Sequence, residues 1–458
     1  MPVLRLSEII RGTLPANRTE EKMKKLDTTI STLGPCKLKS QLPYRTWADN
    51  KKIPIVVDNE LGEGIEEPYQ VEFEAAGPRQ NLYFDPPRTK CAIVTCGGLC
   101  PGINDVIRAI VLEAHHAYHV PSIIGIPYGL EGFIAKYGHQ TIELTPEKVA
   151  DIHRFGGTML GSSRGPQPPD EIVDMLERNN VNVLFVIGGD GTMKAAMAIN
   201  REIESRGLKI SVIGIPKTID NDINFISQSF GFETAVHKAT EAIECAHTEA
   251  CGTPNGIGLV KLMGRESGFI AAQATLALKD VNFVLIPEAP FALEGKGGLL
   301  PAIEQRLKER GHAVIVTAEG AGQHLLAHHT ETDASGNRVL ANVGDLLKQE
   351  IKRYMNERKI EHSVKFIDPS YIIRSVPAQP GDKVYCGFLG QYAVHAAMAG
   401  RTGMVIGKIQ DRYVHLPLSL VTQARRKLNI RSDLWRAVLE STGQGTLKGM
   451  LPPAGKEK

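Results

Sequence analysis

Six short runs of small and branched apolar residues recur from Lys90 onward, each closed by a glycine, a proline or a carboxylate. Residues 91–95 (CAIVT) lead into Gly97-Gly98 and 183–187 (VLFVI) into Gly188-Gly189. Residues 210–215 (ISVIGI) lead into Pro216 and 258–262 (GLVKL) into Met263-Gly264. Residues 283–286 lead into Pro287, and 313–317 (AVIVT) into Ala318-Glu319. Strands that are apolar on both faces, most of them followed by helix-period sequence, predict a parallel sheet covered by helices on both sides. Ligands of such sheets bind at the carboxyl ends of the strands, and here those ends carry the Gly, Asp and Lys clusters.

Residues 1–88 differ. Long apolar runs are few, and turn clusters appear at Gly34-Pro35, Gly62-Glu63-Gly64 and Asp85-Pro86-Pro87-Arg88. The apolar groups in VLRLSEII (3–10) and YRTWADN (44–50) predict an extension packed on the main body or on another subunit, rather than a loose tail. No internal repeat is clear, and no extended low-complexity segment interrupts the chain.

Composition narrows the class. At about 150 residues per domain, 458 residues suggest roughly three domains or two larger α/β ones. With 42% hydrophobic and 23% charged residues, global disorder is excluded. The balance of 53 Lys+Arg against 51 Asp+Glu leaves no global basic field for nucleic acid or membrane. Seven scattered cysteines fit a reducing compartment, and Cys96 and Cys100 read as small buried thiols better than as zinc ligands. The chain start has no signal-peptide core, and no apolar run reaches the roughly eighteen residues of a membrane span, so a cytoplasmic protein is expected.

Four motifs carry chemistry. Gly97-Gly98-Leu99-Cys100-Pro101-Gly102 joins a strand to a helix, where glycines let a phosphate approach backbone N–H groups; a plain tight turn explains the pattern equally well. In Gly188-Gly189-Asp190-Gly191-Thr192 one carboxylate sits among three glycines, which favours phosphate with Mg²⁺ on Asp190 over an unliganded helix-terminal anion. In Pro216-Lys217-Thr218-Ile219-Asp220-Asn221-Asp222, two carboxylates point to one side if the segment stays extended. One then takes a proton from an alcohol and the other helps position Mg²⁺; a solvated Asx turn is the open alternative. In Met263-Gly264-Arg265-Glu266-Ser267-Gly268, Arg265 is a phosphate ligand or a structural ion-pair partner, and Ser267 or Glu266 caps the helix that follows. Arg164, Arg374 and Lys365 are isolated candidate cations. His115-His116 and His328-His329 read as surface or helix-face residues. Together the parts suit phosphoryl transfer, which needs positioning and charge stabilisation above all.

In order along the chain, GGLCPGIND (97–105), LGSSRG (160–165), GGDGT (188–192), PKTIDND (216–222), MGR (263–265), AEG (318–320) and YIIR (371–374) resemble the motifs of 6-phosphofructokinases. The resemblance spans roughly residues 90–430. GGDGT alone is shared with NAD kinases and lipid kinases, but those do not explain PKTIDND or MGR. The extension and Lys217 look like the subgroup of plant and trypanosomatid ATP-dependent enzymes, relatives of the pyrophosphate-dependent ones.

The resemblance implies an α/β, phosphofructokinase-like fold of two Rossmann-like three-layer domains. A nucleotide-binding domain would cover 89–233 and return at 378–430, and a sugar-phosphate domain 234–377. The extension (1–88) and a C-terminal tail (431–458) would flank them, in a homotetramer or homodimer. It further implies ATP-dependent phosphorylation of fructose 6-phosphate to fructose 1,6-bisphosphate, the committed step of glycolysis. Asp220 matches the base on the sugar 1-hydroxyl; an unperturbed Asp, with a pKa of about 3.9, suffices for a loose transition state with late proton transfer. Asp190 matches the Mg²⁺ ligand, with Asp222 in support of the metal and Arg265. Thr218, Ile219, Asp220, Met263, Gly264, Arg265, Glu319, Lys365, Tyr371 and Arg374 would form the sugar-phosphate site. Gly97, Arg164, Gly165, Gly189, Asp190, Gly191 and Thr192 would form the ATP site.

Two positions bear on the donor. Pyrophosphate-dependent relatives usually carry Asp where Gly191 stands and Lys where Lys217 stands. Gly191 leaves room for the ATP α-phosphate, so ATP is expected, with pyrophosphate use or a catalytically silent regulatory subunit as the alternatives. Typical bacterial members place a cross-subunit Arg seven residues before the Met of MGR, where this chain has Gly256; Lys365 stands where they carry a substrate-phosphate Arg and is a plausible substitute cation.

Overall fold

A computed structural model describes residues 26–326 and 339–449, apart from 44, 45, 50, 63 and 66. Two sheets organise it. The larger has seven strands in the order Arg412–Pro417, Met404–Ile409, Ser211–Pro216, Val183–Gly188, Lys90–Thr95, Ser122–Ile126 and Ile142–Glu143. Its inner five run parallel, and the two edge strands are antiparallel. The smaller sheet is wholly parallel, in the order Phe283–Leu285, His312–Ala318, Gly256–Leu262 and Ser363–Ile367. The mixed α/β architecture with parallel sheets is the class expected, and all six apolar runs become strands within a few residues of their sequence limits.

The central strands show why. Every residue of Val183–Gly188 and of Ser211–Pro216 is buried, because helices cover both faces. The fully buried aliphatic side chains of these strands remove area from water on both sides, at about 25 cal/mol per Å². Helix Phe232–Cys251 lies against the smaller sheet, and its N-terminus meets helix Pro380–Met398. There the buried Asp382 carboxylate accepts from the backbone N–H groups of Gly231 (2.9 Å) and Thr234 (2.8 Å) and from the Thr234 hydroxyl (2.6 Å). A carboxylate on three donors at a helix N-terminus satisfies groups the helix leaves unpaired and complements its dipole.

The extension packs on the main body. Its hairpin, Lys52–Val57 with Tyr69–Glu74, continues to a bridge between Ala75 and Val414 at the edge of the larger sheet. Ser31–Thr32 pairs with Arg401–Thr402. Glu74 accepts from Arg79 (2.9 Å), Arg401 (2.8 Å) and His415 (2.9 Å), tying the hairpin to the edge strand. Within YRTWADN, Trp47 packs against the core and Ala48 is buried; VLRLSEII lies outside the described residues, as do His328 and His329. All seven cysteines are free, with Cys91, Cys96, Cys100 and Cys386 buried, and His115 and His116 are exposed. Among the described residues no helix is long and apolar enough to cross a membrane.

Candidate functional site

The strand ends of both sheets open into one cleft of about 640 Å³. From the larger sheet come Gly97, Gly189, Asp190, Gly191 and Thr192 with the segment Lys217–Asp222; from the smaller come Met263, Arg265 and Glu319. Arg164, Gly165 and Arg374 complete the wall. Four separately spaced sequence motifs therefore face one volume.

Each motif is placed by local structure. Gly188 ends its strand so close to the next helix that a Cβ would lie 2.3 Å from the Thr192 hydroxyl. The helix Asp190–Ser205 begins at once, so Asp190 and Gly191 sit in its first turn. The 161–165 loop is laced to the first glycine turn: the Ser162 hydroxyl donates to the Gly97 carbonyl (2.6 Å), and the Gly97 N–H to Ser163 (3.2 Å). Gly264 adopts φ +124°, where an L side chain is strained, and its Cβ would meet the Ser267 carbonyl at 2.4 Å.

The 216–222 segment is not extended. Asn221 takes φ +56°, and its side chain accepts from the Ser229 N–H (2.9 Å), holding a turn of the kind Asn tolerates. Asp220 and Asp222 nonetheless both reach the cleft wall. The Thr218 hydroxyl donates to Asp222 (3.0 Å) and accepts from the Asp220 N–H (3.1 Å). Ser267 does not cap the helix Phe269–Leu278: its hydroxyl donates to the Asp220 carbonyl (2.8 Å). The N-terminal N–H of Gly268 goes to Glu288 instead (3.0 Å), so the cap expected from Ser267 or Glu266 is supplied from a distant loop.

Electrostatics separate the groups. Burial, then the neighbouring Asp222 and Glu319 charges, push Asp220 well above the usual carboxylate range. Its Oδ1 is buried with no hydrogen-bond partner among the described residues. Burial also raises Asp222, against Arg425 and Thr218, and raises Glu319, against Arg265, Lys261 and Arg374. Lys217 is 5% exposed; burial lowers its pKa, and its ammonium donates to the Gly98 carbonyl at 2.5 Å. Asp190, its side chain 8% exposed, pairs with Lys194 (2.9 Å) and Arg425 (3.4 Å).

Three expected residues lie off the cleft wall. Tyr371 is 74% exposed, its ring 5.0 Å from the Arg374 guanidinium. Lys365 points from an edge strand to Glu249 (3.7 Å). Gly264 shapes the turn without lining the cavity. Conversely, the wall holds Arg425 and Lys194, which the sequence reading missed. Lys194 was legible as a cation one helical turn beyond Asp190. Arg425 sits in a basic run, 425–427, with no local motif.

Comparison with known proteins agrees with this geometry. The family model described as Phosphofructokinase matches residues 90–397. An ATP-dependent 6-phosphofructokinase of Amycolatopsis methanolica is 52% identical over 379 residues, covering 81% of this chain and 82% of that protein. The enzyme of the same name from Borreliella burgdorferi is 48% identical over 440 residues, 92% of this chain and 98% of that one. Among solved structures, a pyrophosphate-dependent phosphofructokinase from Marinobacter aquaeolei aligns with a TM-score of 0.64 at 20% identity, over 80% of this chain and 94% of that chain, a likeness of fold. With a cleft built from the ordered motifs and a family match over most of the body, this chain belongs to the phosphofructokinase family.

Proposed function

We propose that the protein transfers the γ-phosphoryl group of ATP to the 1-hydroxyl of fructose 6-phosphate, giving fructose 1,6-bisphosphate and ADP in glycolysis. The observation that carries this reading is the buried, unpartnered Oδ1 of Asp220, facing a cleft walled by glycine turns on one side and by Arg265, Glu319 and Arg374 on the other. Asp220 accepts the alcohol proton at that oxygen. Arg265 and Arg374 hold phosphate oxygens, and Glu319 accepts sugar hydroxyls. Thr218, Ile219, Met263 and Gly264 shape the sugar side, with the larger-sheet half as nucleotide domain and the smaller as sugar-phosphate domain. Gly97, Arg164, Gly165, Gly189, Gly191 and Thr192 offer backbone and cation contacts to the nucleotide.

The cleft fits a magnesium ion, because its acidic groups Asp190, Asp220, Asp222 and Glu319 supply the oxygen ligands that this ion favours. Asp190 would hold it, supported by Asp222; when bound, it offsets charge on the phosphate oxygens. Arg425 orients Asp190 from the cleft wall.

Gly191 favours ATP over pyrophosphate as donor: a Cβ there meets nothing within 4 Å, so the space beside Asp190 is open for a nucleotide tail. Tyr371 contacts the sugar phosphate beside Arg374, and Lys365 supplies a cation to it across an interface in a homotetramer or homodimer. Seven free cysteines suit the reducing cytoplasm. A coupled assay with fructose 6-phosphate, comparing ATP with pyrophosphate, with and without Mg²⁺, tests the proposal. Faster turnover with pyrophosphate overturns the donor assignment, and no turnover with either overturns the kinase reading.

A further inference from the structure

At the end of the smaller sheet away from the cleft, three metal-ligating side chains from two elements converge. His247 and Cys251 stand four residues apart in the last turns of helix Phe232–Cys251, on one face. His312 is the first residue of strand His312–Ala318, in register with Gly256 at the start of the neighbouring strand. One ligand atom from each lies within 4.8 Å of the other two, and the two imidazole rings are 5.4 Å apart. From a second loop, Asp280 places a carboxylate oxygen 3.6 Å from His247 Nδ1.

We propose that His247, Cys251 and His312 bind one divalent transition-metal ion of the zinc class. The donor set, two imidazoles and a thiolate, is that of tetrahedral zinc with one open position, with bonds of about 2.0–2.3 Å and ligand edges of about 3.5 Å. Closing from 4.8 Å needs only side-chain rotation, because Cys251 is exposed and sits at the helix terminus. Asp280 faces Nδ1 of His247, the carboxylate–histidine arrangement that fixes the ring and leaves Nε2 for the ion. Binding takes the thiol as thiolate and releases its proton to solvent. Arg306, beside Cys251 and His312, and Arg310, beside His312, temper the affinity for a cation. The bound ion would clamp the helix end to the strand start. Met263 and Glu319 lie about seven residues along the same strands, roughly 20 Å away, so the site is separate from the cleft and does not depend on its function.

The test uses the full chain, stripped with a chelator and titrated with Co²⁺ as the optical stand-in for Zn²⁺. Expected are tetrahedral d–d bands and a thiolate-to-cobalt charge-transfer band saturating at one ion per chain, with Zn²⁺ displacing Co²⁺ and raising the unfolding temperature. Cys251→Ser should abolish the charge-transfer band. Asp280→Asn should weaken binding by about tenfold or more, and Cys245→Ser, on an exposed thiol of the same helix, should change nothing. A wild-type protein without the charge-transfer band, or one in which Cys251→Ser retains it undiminished, overturns the proposal.

Discussion

Arg425 Nε stands 3.4 Å from Oδ2 of Asp190, a contact that joins residues 235 positions apart and closes one wall of the cleft. The same guanidinium reaches Glu266 (3.2 Å) and lowers the pKa of Asp222 against its burial. One cation therefore steadies the proposed metal ligand and one of the two buried carboxylates. Arg425→Ala should reduce kcat/KM for ATP by about 10- to 100-fold, with a higher Mg²⁺ requirement and little change in the KM for fructose 6-phosphate. Steady-state kinetics over a Mg²⁺ series measure it. An unchanged Mg²⁺ dependence would show that Arg425 does not position Asp190.

Asp220 combines a catalytic need with a folding cost. Its oxygen must be free to take a proton, so no protein donor satisfies Oδ1, and burial beside Asp222 and Glu319 disfavours the charge. Asp220→Asn removes the base and should lower kcat by about 10² to 10⁴-fold. The same change should stabilise the fold at neutral pH by about 1–3 kcal/mol, because an isosteric amide replaces a carboxyl that ionises freely in the unfolded chain and is disfavoured from ionising in the folded one. The sign follows from linkage. With its folded pKa above the unfolded value, Asp220 binds more protons in the native state, so its contribution to stability falls as pH rises from the unfolded pKa through the folded one. The variant's advantage in urea denaturation should shrink as pH is lowered toward 4. Its absence at neutral pH would mean that the carboxylate is compensated in the folded protein.

Activity follows the opposite limb. A base works only when deprotonated, so kcat/KM in the wild type should fall on acidification at a pH above the ordinary aspartate range, as the raised pKa of Asp220 requires. A pH–rate profile with no acidic limb above pH about 5 is incompatible with an unliganded Asp220 as the titrating group.

How much of this was legible in the chain depends on locality. Strands such as Val183–Gly188 are buried on both faces, so their composition alone marks them, and the glycine, proline or carboxylate that closes each one marks its end. Arg412–Pro417 (RYVHLP) and Ser363–Ile367 (SVKFI) are edge strands with mixed polarity, and their short, uneven patterns do not stand out. The turn at Asn221 depends on Ser229, and the cap of helix Phe269–Leu278 on Glu288, a residue beyond that helix. Arg425 is the extreme case: nothing near it in sequence signals the carboxylates that it faces. Local chemistry is written locally; what orients it is distributed.

Gly191 allows a clean donor test. A Cβ at this position meets no atom within 4 Å, and its φ is ordinary for a helix start, so Gly191→Asp should fold as the wild type does, within about 0.5 kcal/mol. The new carboxylate would stand beside Asp190 and repel a nucleotide phosphate. ATP kcat/KM should drop at least about tenfold, equivalent to about 1.4 kcal/mol, while pyrophosphate turnover falls less. Equal losses for the two donors would show that the position does not discriminate between them.

Gly256 is the contrasting glycine. It starts a buried strand, and a Cβ there would lie 2.1 Å from the Ala250 carbonyl oxygen, in backbone that cannot swing away. Restoring a cation at this position by Gly256→Arg should therefore cost at least about 3 kcal/mol of stability through overpacking, read as a lowered unfolding temperature or loss of soluble protein. Here the chain has closed the space a cross-subunit arginine would need, so the sugar phosphate must draw its charge from elsewhere. Lys365, half-exposed on the edge strand of the same sheet, is the cation proposed above to supply it. Lys365→Ala should raise the KM for fructose 6-phosphate about tenfold with kcat little changed, the mark of lost binding common to ground and transition states. A Gly256→Arg protein that is stable and binds the sugar phosphate more tightly would show that the strand start yields, and Lys365 would then not be required.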